Sequence, residues 1–174
     1  MLKSRRLGWL GVLMLLALAL AAPALAADKV RATLDGKPIS LADASELSCS
    51  DVSYPVLTCY RTEAELEAAM DASSSSLQLT LNAGFAAGVT STGYVIVFEH
   101  GQYAGAALAI THDYSCLCTI GWNDKISSFK SYGASGRFWE NAPNGGFIYY
   151  FGPSTSVAYV GDVYNDRFSA VYLN

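Results

Sequence analysis

Two stretches of this chain, WNDKISSFK at 122–130 and YNDRFSAVY at 164–172, read in parallel: an aromatic, Asn-Asp, two variable residues, Ser, a small residue and a β-rich tail. Each closes a longer unit. VFEHGQYAG at 97–105 aligns with FWENAPNGG at 138–146 as an aromatic, Glu, a loop and Gly, and roughly twenty residues after each Gly comes the Asn-Asp-x-x-Ser pattern. Residues 94–174 are therefore written twice, about forty residues per copy, 94–133 and 134–174. A doubled unit limits the fold to one that two similar halves can build together. The runs YVIVF, AALAI, ISSFKSY, GRFWE, FIYYF, VAYV and FSAVYL are short, aromatic and β-branched. Gly, Asn, Asp and Pro separate them at intervals of about 8–12 residues, the spacing of an all-β sandwich or barrel.

The remainder of the chain reads differently. Lys3, Arg5 and Arg6 precede an apolar run from Leu7 to Leu20, and Ala24-Leu25-Ala26 supplies a small-x-small cleavage pattern. A signal peptide is expected over 1–27, cut after Ala26 or Ala27, since the run is short for a transmembrane span. The protein is then expected to be secreted, with no membrane association after cleavage. Removing 27 of the 174 residues leaves 147, one domain with room for an appendage. Three of the eleven basic residues and none of the fifteen acidic ones lie in the leader, so the remainder carries a net charge of −7. With no cluster of Lys and Arg, nucleic-acid binding is excluded as a function class.

Cys49, Cys59, Cys116 and Cys118 are expected to be disulfide-bonded in an oxidising compartment, either as the local pairs Cys49–Cys59 and Cys116–Cys118 or across the two segments. In the front segment, 28–72, Val30, Ala32 and Leu34 alternate before Asp35-Gly36, and Ile39 and Leu41 alternate after it, which predicts a hairpin. PVLTCY predicts a third strand. Thr62 and Glu65 form a capping box ahead of one short helix with Ala64, Leu66, Ala69 and Met70 on a face. Residues 73–93, with SSSS and NAGFAAGVTSTG around LQLTL, read as a linker or loop containing a short strand.

The doubled segment resembles the βγ-crystallin superfamily, in particular its microbial calcium-binding type. The residues carrying the resemblance are Phe98-x4-Tyr103-x-Gly105, matching the Greek-key signature with its aromatic corner, and Trp139-x4-Asn144-x-Gly146, which has Asn in place of the corner aromatic. NDKISS at 123–128 matches the calcium pattern of that family in full, and NDRFSA at 165–170 differs at Ala170. The resemblance implies two Greek keys forming a β-sandwich, preceded by a small α+β segment with one short helix. Phe98, Tyr103, Phe129, Trp139, Tyr150 and Tyr172 are expected to be at least half buried.

It also implies two Ca2+ sites that exchange ligands between the motifs. One would use the Lys125 carbonyl, the Ser127 hydroxyl, Asp166 and the Glu140 carbonyl. The other would use the Arg167 carbonyl, the Ser169 hydroxyl, Asp124 and the Glu99 carbonyl. Such oxygen-only sets suit a hard dication. As a turn, Asn-Asp before a strand needs no ligand; two copies in matched contexts favour the calcium reading.

No G-x-S-x-G, H-E-x-x-H or phosphate-cradling glycine loop is present, and the chain is not expected to be an enzyme. His112 with Cys116 and Cys118 matches no zinc module, and His100 reads as a loop residue. Trp122, Trp139, Tyr149 and Tyr150 could stack on a sugar but read first as core. The expected function is a secreted, monomeric, calcium-binding protein without catalysis. Secreted bacterial metallopeptidase inhibitors share the resemblance, which makes a secreted peptidase the expected partner, with THDYSCLCTIG as the inhibitory loop. The alternative is a carbohydrate or cell-surface binding module, or a toxin-like protein of the same fold.

Overall fold

The computed structural model describes residues 29–82 and 93–174. The expected signal peptide lies outside the described residues, as does the 83–92 part of the expected linker.

Among the described residues, eleven strands form two sheets that close on one another. In chain order they are β1 (Arg31–Leu34), β2 (Lys37–Ile39), β3 (Ser48–Ser53), β4 (Val56–Tyr60), β5 (Tyr94–His100), β6 (Ala104–Ile110), β7 (Ser128–Tyr132), β8 (Gly136–Asn141), β9 (Gly145–Phe151), β10 (Ser156–Val157) and β11 (Ala170–Leu173). The larger sheet runs β10-β7-β5-β6-β3-β4-β1-β2 and the smaller β11-β8-β9. The expected β-sandwich of two Greek keys is what forms. In each key, three strands stay in one sheet and one segment crosses to the other. β10 of the second key pairs with β7 of the first. The reciprocal crossing is a single bridge, Tyr114 opposite Val171 of β11, closed by N–H···O bonds of 2.8 and 3.0 Å.

Between the sheets lies the main core, with Val95, Val97, Leu108, Ile110, Leu117, Trp122, Phe129, Phe138, Phe151 and Phe168 buried in it. Trp122 is therefore a core residue. Phe98 and Phe129 are buried as expected, while Tyr103, Trp139 and Tyr172 are partly buried. Tyr150 contradicts the expectation at 70 % exposed. Side chains alternate along a strand, and in β9 the inward positions are Phe147, Tyr149 and Phe151, with Tyr149 meeting Phe129 edge-on at 5.8 Å. Tyr150 falls on the outer face of that edge strand.

The front segment does not stand apart from the Greek keys. Its β3 pairs in parallel with β6, and β4, β1 and β2 continue the same sheet outward. The hairpin around Asp35-Gly36 forms, but Leu41 opens a short helix, α1 (Leu41–Ala44), rather than continuing β2. Ser40 caps α1 by accepting the Asp43 N–H at 3.0 Å, which takes the chain out of the strand.

The second helix, α2 (Glu63–Asn82), runs 20 residues and is not short. The Thr62 hydroxyl accepts the Glu65 N–H at 3.2 Å as the capping box predicts, and Glu65 reaches back to the Arg61 N–H at 2.9 Å. The linker and strand expected from Ser73 to Leu81 are helical instead. Within the serine run, Ser73 and Ser75 donate to the carbonyls of Ala69 and Asp71, each at 2.9 Å, so their hydroxyls bond inside the helix rather than breaking it. Leu66 and Met70 of α2 pack on Tyr94, Ile96, Phe98, Ala107 and Ala109, the outer face of the large sheet. That cover explains why β5 is apolar at successive positions: Val95 and Val97 face the sandwich, Tyr94, Ile96 and Phe98 face the helix. Lys130 and Tyr132 of β7 anchor α2 at Glu63 and Glu67, Lys130 at 2.7 and 3.2 Å and Tyr132 at 2.9 Å.

Candidate functional site

The two hexamers come together at one end of the sandwich, related by an approximate two-fold relation that their hydrogen bonds repeat. Asp124 and Asp166 both sit in the left-handed region, with φ of 56° and 54°. Short polar side chains tolerate that conformation best among non-glycine residues. In each copy the preceding Asn fixes the Asp carboxylate, Asn123 at 2.7 Å and Asn165 at 2.6 Å. The backbone then crosses between motifs: the Asp124 N–H donates to Phe168 O at 3.0 Å and the Asp166 N–H to Ile126 O at 3.3 Å.

This crossing carries each Asp to the serine of the other hexamer. Ser127 Oγ lies 3.3 Å from Asp166 Oδ1, and Ser169 Oγ lies 3.3 Å from Asp124 Oδ1. Both serines are nearly buried, at 4 % and 8 % exposed.

The glutamates are grouped differently from the expectation. Ser127 Oγ donates to the Glu99 carbonyl at 2.7 Å, so Glu99, not Glu140, belongs with Ser127, Lys125 and Asp166. Glu140 stands with Arg167, whose guanidinium pairs with its carboxylate, and the Ser169 N–H donates to the adjacent Trp139 carbonyl at 2.8 Å. The cause is strand pairing. β7 pairs with β5 in one sheet, with Ser128 opposite Phe98, and β11 pairs with β8 in the other, with Ala170 opposite Trp139. Each hairpin glutamate therefore lies beside the serine of its own motif, and only the aspartates are exchanged.

Each site thus has one carboxylate, one hydroxyl and backbone carbonyls, with the basic residue's amine or guanidinium turned to the glutamate side chain. Lys125 Nζ is 3.5 Å from Glu99 Oε1. A shallow pocket of about 200 Å³ is lined by Glu99, His100, Asp124, Lys125 and Asp166. Among the described residues no group of three or more His, Cys, Asp and Glu side chains is arranged to hold a metal. The 2.7 Å approach of Ser127 Oγ to Glu99 O is a separation that neighbouring oxygens of a calcium shell can adopt, given Ca–O distances of roughly 2.3–2.6 Å.

The two departures of motif two from the pattern are one structural difference. In motif one Ser128 Oγ donates to His100 O at 2.6 Å and accepts the Tyr103 N–H at 3.2 Å, holding the folded hairpin under its corner tyrosine. Tyr103 meets Phe98 edge-on at 5.6 Å. Gly105, at φ 82°, turns the chain where a Cβ would come within 2.9 Å of the His100 ring. In motif two the equivalent Ala170 has no hydroxyl, Asn144 is exposed, and Tyr172 holds the hairpin tip instead by donating to Pro143 O at 2.9 Å.

Both local disulfides form, Cys49–Cys59 and Cys116–Cys118, and the described residues contain no free cysteine. The cysteines are thus not thiolate ligands, and His112 pairs with Asp51 at 3.1 Å. Sequence reasoning missed this last group. Asp51 is 1 % exposed, its Oδ1 accepts the Thr111 N–H at 2.8 Å and the Thr111 hydroxyl at 2.7 Å, and Tyr114 packs beside it. Burial raises the Asp51 carboxyl above its ordinary range against the pull of His112, and burial likewise raises the Tyr114 phenol. A separation of 60 residues between Asp51 and Thr111 leaves no local signal for the contact.

Comparison with known proteins adds similarity at the level of solved structures. A βγ-crystallin from an archaeon is 28 % identical over 47 % of this chain and 98 % of its own, with a TM-score of 0.43. A double mutant of a βγ-crystallin domain from Clostridium beijerinckii is 26 % identical over 46 % and 94 %, with a TM-score of 0.41. A βγ-crystallin from Ciona intestinalis is 22 % identical over 47 % and 99 %, with a TM-score of 0.41. No family model matches the chain, and no curated protein matches it.

Proposed function

We propose that this is an exported, non-catalytic, calcium-binding protein whose two cation sites tie its Greek keys together. The observation that carries this reading is the reciprocal approach of Asp166 to Ser127 and of Asp124 to Ser169, each at 3.3 Å. A turn would need only the local Asn-Asp; it would not need each carboxylate to be delivered to the other motif's hydroxyl. Glu99 O, Lys125 O, Ser127 Oγ and Asp166 would hold one Ca2+, and Glu140 O, Arg167 O, Ser169 Oγ and Asp124 the other. Calcium supplies charge and no chemistry here: it neutralises the converging oxygens and binds segments of both motifs at once, which favours the folded chain. Calorimetric titration of the purified protein with CaCl2 tests the reading. Two bound ions per chain are expected, and the absence of binding heat together with an unchanged melting temperature rejects it.

Peptidase inhibition is a second reading, supported by the bracing of the 111–121 loop. Leu117 and Ile120 are buried in the core, the Leu117 N–H donates to Ser169 O at 2.8 Å, and Asp113, Ser115 and Thr119 are left exposed. A rigid, exposed loop of that kind is what a protease cleft accepts. A panel of metallopeptidases and serine peptidases assayed with the protein in excess decides it.

A further inference from the structure

The two disulfides sit in opposite surroundings. Cys49 and Cys59 are directly paired across β3 and β4 and are 1 % and 2 % exposed, so that bond is part of the core. Cys116 and Cys118 lie two positions apart at the surface, with Cys118 exposed. Disulfide stabilisation grows with the length of the loop closed, so a bond across two positions contributes least. Nor does the segment depend on it. Leu117 is buried, its N–H donates to Ser169 O at 2.8 Å, the Trp122 N–H donates to Leu117 O at 3.0 Å, and Tyr114 is bridged to Val171. A disulfide that is exposed and not needed to hold its loop is of the kind that exchanges.

Its surroundings supply what exchange requires. The Cys118 N–H points at Cys116 Sγ at 3.3 Å, where it stabilises negative charge on that sulfur. Cys116 lines a pocket of about 170 Å³ together with Tyr54, His112, Asp113, Tyr114 and Thr119. His112 is fixed there by Asp51 on one side of the imidazole, at 3.1 Å from Nδ1, and by the rings of Tyr54 and Tyr114, each with its centroid at 4.5 Å. Its Nε2 is buried and has no hydrogen-bond partner among the described residues, so the ring is part of the pocket wall.

We propose that Cys116–Cys118 is a thiol–disulfide exchange site that takes a dithiol as its substrate. The thiolate of the dithiol attacks Cys118 Sγ, the S–S bond breaks, and its electron pair goes to Cys116 Sγ. The second substrate thiolate then attacks its own sulfur partner in the mixed disulfide and releases Cys118. Two electrons pass from the dithiol, which leaves as a disulfide, to the protein, which becomes the Cys116/Cys118 dithiol. The two thiol protons pass through solvent and end on Cys116 and Cys118.

The test uses the full oxidised protein and dithiothreitol as the dithiol, with alkylation and mass mapping of each cysteine. Cys116 and Cys118 should be alkylated at reductant concentrations at least about tenfold below those that open Cys49–Cys59, with the folded near-ultraviolet signal retained. A Cys116→Ser/Cys118→Ser double variant should fold, melt near the wild type and oxidise no dithiothreitol. Opening of both disulfides together, opening only with unfolding, or failure of the double variant to fold overturns the proposal.

Discussion

Ser127 and Asp166, 39 positions apart, meet with Oγ and Oδ1 at 3.3 Å, and the same contact recurs between Ser169 and Asp124. If these pairs are halves of two cation sites, each aspartate serves the motif it does not belong to. Asp166→Ala should then weaken the site that contains Ser127, and Asp124→Ala the site that contains Ser169. Saturation at ~100 times Kd adds about 2.7 kcal/mol per site to the folded state. Each single variant should therefore show roughly half the calcium-induced rise in melting temperature, and the double variant almost none. Calorimetry with chelator and with calcium checks this. A double variant that still gains the full wild-type rise would place the ions elsewhere.

Ser128 accounts for the asymmetry between the keys. Its hydroxyl holds both His100 O and the Tyr103 N–H. Ser128→Ala should cost about 1 kcal/mol in urea unfolding, because the partly buried Tyr103 amide and the His100 carbonyl lose their shared partner. Ala170→Ser should gain little, since motif two has Asn144 at the corner and ties its hairpin through Tyr172. Equal effects of the two changes would contradict the assignment.

Glu67 makes a prediction about pH. Burial works against its ionisation, but hydrogen bonds from Tyr132 and Lys130 outweigh this and hold its carboxyl below the ordinary value of 4.5. A depressed acid contributes stability that is present above its unfolded pKa and lost as pH falls through the folded one. Wild type should thus lose part of the hold between α2 and β7 on acidification below about pH 4.5. Glu67→Gln should lack that part of the acid dependence. The check is the slope of unfolding free energy against pH from 3 to 6; identical slopes would show that the contact contributes nothing to folding.

The doubled hexamer and the spacing of short aromatic runs made a twice-written all-β unit legible in the sequence, because a repeat exposes its own symmetry; the Greek keys and the crossing of each aspartate to the other motif came from the resemblance that NDKISS and NDRFSA carry. The glutamate grouping was not legible, because it depends on which strands share a sheet. Helix α2 was misread past Ala72 for a different reason. Its serines bond to carbonyls four residues back, as Ser73 does to Ala69 O, so a composition typical of loops is satisfied inside a helix. Tyr150 was misread because FIYYF offers two alternation phases, and only the packing of Tyr149 on Phe129 selects one. The front segment's place in the large sheet rests on the parallel pairing of β3 with β6, a contact between segments with no shared motif.

That seam gives the last prediction. Asp51, near the end of β3, accepts two hydrogen bonds from Thr111 just beyond β6, at 2.8 and 2.7 Å, while 1 % exposed. Asp51→Ala leaves the Thr111 amide and hydroxyl without their acceptor and removes the carboxylate 3.1 Å from His112 Nδ1. Hydrogen bonds to a charged group contribute roughly 1.5–3 kcal/mol each. The burial that raises the Asp51 carboxyl opposes part of that gain, so a net loss of about 2–3 kcal/mol is expected. Asp51→Asn keeps one carbonyl oxygen for Thr111 and should lose less. Hydrogen exchange should show the loss first in β3 and in the amides of residues 111–114, with β8 and β9 unchanged. Uniform loss across both sheets would mean that the front segment and the Greek keys unfold as one unit and that Asp51 is no local latch.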